Sequence, residues 1–228
     1  MEPIKYYSLT DQVYDALKRD IIQRTLVTNA KLDVNGLALQ LGVSRMPVVD
    51  ALSRLENEGL VEKRNRVGTF VTPVSQRMFI EWFEMRGMIE DWATPRIVAN
   101  ISDDSLQQLR GLLDEGNRIL RTAKKATFGL NVFNERFDYG FHMGLIRECD
   151  NTRIADTFAS IHTHSRIGRS FVEPDDRINA CKRSQGHHEL IMQAFTERDT
   201  TKATSELRKH RENSLQGTLD RLQRQGIA

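Results

Sequence analysis

Cysteine is nearly absent from this chain, with two in 228 residues. Cys149 and Cys181 lack the C-x-x-C spacing of a zinc or redox motif, and the plain reading is two buried, reduced thiols in a cytoplasmic protein. Long apolar runs are missing too. Nothing approaches the roughly 18 consecutive apolar residues of a membrane span, and the opening "MEPIKYYSLTDQ" has no apolar leader core. Strong charge of either sign is also missing. The net charge is +2, and residues 1–73 hold ten Lys and Arg against nine Asp and Glu. A chain-wide basic signature for nucleic acid is therefore absent, and any such case rests on local arrangement. The sequence shows no internal repeat and no low-complexity tract.

What is present suffices for a core: 39% hydrophobic and 28% charged residues, in a length that holds one large or two ordinary domains. "SLTDQVYDALKRDIIQ" reads as a helix, with Ser8 as cap, Asp11 three residues on, and Leu9, Val13, Leu17 and Ile21 recurring every four. "VTNA" breaks it. Val34, Leu37, Ala38 and Leu41 then mark a short second helix that Gly42 ends. In "LGVSRMPVVDAL", Ser44 is placed to cap a third helix. Pro47 falls in its first turn, where backbone N–H groups have no intrahelical partner to lose. Val48, Ala51, Leu52 and Leu55 would form its buried stripe up to Gly59, which leaves Arg45, Met46, Val49, Ser53 and Arg54 facing outward. "LVEKR" and "TFVT" read as two short strands around a tip carrying Lys63, Arg64 and Arg66.

From Ser75 onward the signals are all helical. One helix over 76–99 puts Phe79, Trp82, Phe83, Arg86, Ile89 and Glu90 on one face, with a bend expected near Pro95. Another follows Ser102, and four more span 128–148, 151–170, 177–198 and 200–224. The expected fold is mainly α: a winged helix-turn-helix over 1–73, then an all-helical bundle of about six helices over 74–228.

Two helices joined by a tight glycine turn, the second polar on its outer N-terminal face, are the arrangement of a helix-turn-helix. Its second helix lies in the major groove. Arg45 is the favoured base reader, because a guanidinium pairs with both acceptors of a guanine. Met46 and Val49 would face the same groove, Val49 meeting at most a thymine methyl. Ser44 and Thr69 suit phosphates, and Arg66 and Gly68 would form a wing over the neighbouring groove. A small helical domain with a solvated charged face is the bland alternative.

"LALQLGVSRMPVVDALSRLENEGLVEKRNRVGTFV" resembles the winged helix-turn-helix of GntR-family bacterial transcription regulators. Their pattern runs LA-x-x-LGVSR-x-PVREAL-x-RLE-x-EGLV, with a wing ending G-x-FV. The resemblance covers most of residues 8–73 and carries over Arg45, Arg54 and Gly68 as DNA-contacting positions. Departures are equally clear. Val49 and Asp50 stand where the family has arginine and glutamate, and Asn29-Ala30 replaces a common Pro-Gly.

In the second half, Asp138 and His142 are spaced i, i+4, one helix face. His188 and His210 each lie eleven residues from Asp199, in the turn between the last two helices. If those helices fold back antiparallel, both imidazoles sit at one level, roughly 16 Å from the turn. Each is also on its helix's apolar stripe. Inward imidazoles at one level need a polar partner, which a metal ion or neighbouring carboxylates would supply. His187 falls toward the rim, and His162 and His164, on opposite sides of their helix, do not form a chelating pair.

"DYGFHMGLIRECDN", "HELIMQAF" and "ELRKH" resemble the all-helical ligand-binding domain, called FCD, of the FadR-like branch. Its metal-binding members carry D-x-x-x-H, then H-x-x-I-x-x-A, then a histidine on the last helix. The resemblance implies Asp138, His142, His188 and His210 as ligands of a divalent ion, with Arg86 and Glu90 near the cavity; nitrogen and oxygen donors of this kind suit zinc, nickel or manganese alike. His187 replaces a frequent acidic residue, and Pro95 is unusual at its position.

The function expected from these readings is a transcription regulator and not an enzyme. It would be a homodimer on a pseudo-palindromic double-stranded DNA operator, controlled by a small carboxylate effector bound at the metal and held by Arg86, with derepression as the expected sign. A metal sensor and a metal-dependent hydrolase are the competing readings.

Overall fold

In the computed structural model, residues 8–124 and 128–228 are described. The leader reading of the first twelve residues therefore lies mostly outside them. The chain forms two compact units that divide between Val74 and Ser75.

The first unit opens with α1 (Leu9–Ile22), where the Ser8 hydroxyl accepts from the Asp11 N–H at 3.1 Å. Val13, Leu17 and Ile21 are buried as their spacing requires, whereas Leu9 is exposed on the first turn. β1 (Lys31–Leu32) follows, a strand too short to leave a periodic signal. α2 (Val34–Leu41) is capped by Asp33, which accepts from the N–H groups of Asn35 and Gly36, and it ends at Gly42 with φ +66°. Only Ala38 of its expected stripe is buried; Leu41 lies at the surface.

α3 (Arg45–Asn57) buries Val48, Ala51, Leu52 and Leu55 as the sequence requires. Ser44 occupies the N-cap position with extended backbone, but its side chain makes no capping bond, a departure from the expected cap. β2 (Val61–Arg64) and β3 (Gly68–Val71) form an antiparallel hairpin pairing Val61 with Val71 and Arg64 with Gly68; β1 adds to the far edge of β3. The hairpin turn puts Arg66 at φ +61° and Gly68 at φ +134°. A Cβ at Gly68 would meet the Lys31 side chain at 3.0 Å, so glycine fits both the backbone and the space.

Among the described residues, the regular structure of the second unit is all helical. α4 (Gln76–Asn100) continues unbroken past Pro95. α5 (Asp103–Thr122) is capped by Ser102. The single helix expected over 128–148 is instead three joined pieces: α6 (Leu130–Phe133), a π-helical segment Asn134–Tyr139, and α7 (Gly140–Arg147). α8 (Thr152–Ser170), α9 (Arg177–Thr196) and α10 (Thr200–Arg224) complete it, so the described residues hold six helical rods. Arg198 at φ +54° and the Asp199 cap turn the chain so that α10 folds back on α9, and α10 also packs on α4. Phe141, Phe158, Ile191, Phe195 and Leu113 fill the centre. Among the described residues no helix is long and apolar enough to cross a membrane. Cys149 and Cys181 are free and buried, and burial pushes the Cys181 thiol up to about 12.

Candidate nucleic-acid interface and metal centre

On the first unit, the outward face of α3 presents Arg45, Met46 and Val49 to solvent, Met46 at 64% and Val49 at 40% exposure. The cations around it divide into two groups. Arg54 pairs with Asp11 at 2.6 Å and lies 4.0 Å over the Tyr14 ring; Lys63 pairs with Glu56 and Arg64 with Glu62. Arg45 and Arg66 have no ion pair among the described residues. A near-zero net charge in this unit therefore hides unneutralised guanidinium groups on α3 and at the wing tip. Ser44 is exposed beside Arg45, and Thr69 is half-buried on β3.

On the second unit, α7, α9, α10 and the π segment converge. The ligand atoms of Asp138, His142, His188 and His210 all lie within 4.8 Å of one another, and all four residues are buried. His142 Nε2 is 3.1 Å from His210 Nε2, and His188 Nε2 is 3.4 Å from Asp138 Oδ1. Asp138 sits in the π segment, where the extra residue per turn re-aims a side chain that a straight α-helix would carry elsewhere.

Two further residues complete the centre, and sequence spacing gave no sign of either role. Gln185 donates to the Leu113 carbonyl, and its Oε1 lies 3.0 Å from His188 Nδ1. The Leu113 bond orients the amide, so His188 Nδ1 carries the proton and Nε2 offers its lone pair to the centre. Gly116 makes room: a Cβ there would come within 2.6 Å of the Gln185 amide nitrogen. His162 is buried, 3.7 Å from Asp138 Oδ2, and neither ring nitrogen has a hydrogen-bond partner. His164 faces away and stacks on Trp82, with centroids 3.9 Å apart. His187 is at the rim, edge-on to His210.

Burial pushes the Asp138 carboxyl up, but Arg169 and the surrounding imidazoles overcome it and hold it at about 2. Burial brings His188 down to about 3 and takes His142, His162 and His210 well below the ordinary histidine value, helped by the Arg86 charge. At neutral pH the centre thus holds one carboxylate and neutral imidazoles. That is the protonation state a divalent ion requires of its ligands. His210 Nδ1, like both ring nitrogens of His162, is buried without a hydrogen-bond partner. The residues fit a divalent metal ion.

Arg86 is almost fully buried. It pairs with Glu90 at 2.7 Å and reaches to 3.2 Å from His142 Nε2; Arg211 holds the other Glu90 oxygen at 2.9 Å. Beside the centre opens a cavity of about 480 Å³, lined by His210, Arg86 and three more arginines, Arg169, Arg183 and Arg221. Among the described residues no carboxylate lines it.

Residues 9–71 match the model of the bacterial regulatory proteins of the gntR family, and residues 81–213 match the FCD domain. The chain is a GntR-family transcription regulator with an FCD domain. It belongs to the FadR-like branch, a family of DNA-binding regulators and not of enzymes. An HTH-type transcriptional regulator in an unstable DNA locus of Streptomyces ambofaciens is 28% identical over 199 residues, 87% of this chain and 80% of that protein. The HTH-type transcriptional repressor RspR of Escherichia coli K12 is 25% identical over 191 residues, 84% of this chain and 80% of its own. Among solved structures, Escherichia coli McbR/YncC shares the fold with a TM-score of 0.76 at 20% identity, covering 94% of this chain and 99% of that one. The buried Asp-His cluster of this GntR regulator is typical of FCD metal sites.

Proposed function

We propose that this regulator's operator affinity is set by a small organic acid bound at a metal ion in the FCD domain. The observation that carries the reading is the cavity beside the Asp-His centre, lined among the described residues by four guanidinium groups and no carboxylate. Such a lining suits an anion, and Arg86 reaches both the cavity and His142. Asp138, His142, His188 and His210 would hold the ion, leaving one or two positions of a six-coordinate metal for acid oxygens. The ion would supply a fixed positive charge for the acid to coordinate. Gln185 orients His188, and Arg169 keeps Asp138 ionised.

On the DNA side, Arg45 would read a base edge, Arg66 would reach the neighbouring groove, and Ser44 and Thr69 would meet phosphates. Arg54, already held by Asp11 and Tyr14, would brace α1 against α3 beside the backbone. A homodimer on a pseudo-palindromic operator fits the exposed row of Met85, Met88 and Trp92 on α4. Effector control requires that the acid bind the two DNA-affinity states unequally.

The test is metal content by mass spectrometry for the tag-free protein beside His210→Ala, then operator binding with organic acids. About one ion per chain, lost in the variant, together with acid-dependent operator release, supports the reading. Operator binding that follows free metal alone, indifferent to any acid, would make the ion itself the signal.

A further inference from the structure

We propose that the effector is a dianion whose second acidic group is held by Arg221, on the last helix at the far side of the cavity. The inference rests on the reading of the cavity as an acid-binding site and adds what class of acid it takes.

Three of the four cavity arginines already have carboxylate partners: Arg86 with Glu90, Arg169 with Asp138, and Arg183 with Asp176. Arg221 has none among the described residues. Its Nη2 donates to Thr218 Oγ1 at 3.0 Å, while its Nε is buried without a partner. Burial and the Arg169 charge push this guanidinium down to about 10. A half-buried cation with an unused donor, beside other cations and facing a cavity, is costly to keep unless an anion arrives.

The helix geometry sets the span. His210, Ser214, Gly217, Thr218 and Arg221 follow one face of α10 and all line the cavity. The Arg221 side chain folds back along that face: its Nη1 lies 3.2 Å from where a Gly217 Cβ would be, and a side chain there would crowd it. The guanidinium therefore sits level with Gly217 and Thr218, seven to eight residues beyond His210, or about 10–12 Å along the axis. Subtracting about 2 Å for a metal–oxygen bond and about 3 Å for an N–H···O contact leaves roughly 5–7 Å between acid groups. Dicarboxylates of about five or six carbons match that separation, and a monoacid of the same length leaves Arg221 unanswered.

Zinc-loaded full-length protein, titrated calorimetrically with glutarate, adipate and valerate, tests this. At least one diacid is expected to bind ten-fold or more tighter than valerate. Arg221→Met should bring that ratio close to one while valerate affinity stays unchanged, and Arg221→Lys should fall between. The metal-free Arg221→Met protein is expected to melt at the same or a higher temperature than the parent, since an unpaired cation has been removed. A diacid preference that survives Arg221→Met overturns the assignment, as does a lower melting temperature, which would mark Arg221 as structural. If valerate and diacids bind equally well, the dianion falls and the acid-at-metal reading stands. If none binds while zinc does, both fall.

Discussion

Acidification of the metal-stripped protein should unfold the FCD unit at a pH where the DNA-binding unit is untouched. Four imidazoles, those of His142, His162, His188 and His210, are buried with folded pKa values below the ordinary one, His188 at about 3. Unfolding returns each to about 6.5. The unfolded chain therefore binds more protons, and stability present above pH 6.5 is lost as the pH falls toward 3. Near pH 5.5 each unfolded imidazole is about nine-tenths protonated, so unfolding takes up between three and four protons. At about 1.4 kcal/mol per proton per pH unit, the slope is about 5 kcal/mol per unit. A domain stability of 5–15 kcal/mol, the usual range, would be exhausted roughly one to three units below pH 6.5. Asp138, held at about 2, adds a loss of the same sign below its unfolded value near 3.8. The assay is urea unfolding of chelator-treated protein at pH 7.5, 6.5 and 5.5, followed by tryptophan fluorescence. Both tryptophans, Trp82 and Trp92, lie in α4, and all six histidines lie in the second unit, so the probe reports the unit that carries the effect. A midpoint that does not move between pH 7.5 and 5.5 would mean the imidazoles are charged in the folded protein and would refute the reasoning.

Gln185→Met should leave the fold intact and weaken metal binding about 10- to 100-fold, because His188 loses the partner that fixes its tautomer; competition with a coloured chelator measures it. Arg45→Ala should cost operator binding about 1–3 kcal/mol and relax preference at a single base position in a binding-site selection. Arg66→Ala should instead weaken all sequences alike and reduce the salt slope of binding by about one, read from titrations at several ionic strengths.

The helix-turn-helix was legible because its core obeys local rules. Val48, Ala51, Leu52 and Leu55 repeat with the helix, and Pro47 is tolerated only in a first turn. The Asp-His cluster was legible for a different reason: Asp138 and His142 are a local pair, and equal distances from the Asp199 turn level His188 with His210. What depended on a distant partner could not be read. Gln185 matters only because Leu113 and His188 flank its amide, and His162 enters the centre although its spacing argued against chelation. β1 exists because β3 offers it an edge, and two residues carry no periodicity of their own. The Ser44 cap failed for the opposite reason, since a residue type suited to a position does not oblige its side chain to make the bond.

The π-helical stretch from Asn134 to Tyr139 also bears on how this chain tolerates shortening. Such a stretch carries one residue more than an α-helix needs for the same hydrogen-bonded run, so it is where a single deletion can be absorbed by relaxing to regular helix. Elsewhere in a packed helix, losing one residue turns everything on one side of the cut by about 100°. Here the relaxed helix would keep Leu130 and Phe133 on one side and Met143 and Ile146 on the other in register with the core, while the buried side chains of the stretch itself, Asn134, Phe137 and Asp138, would be re-aimed. A single-codon deletion in this stretch is thus a way to separate the fold of the domain from its chemistry.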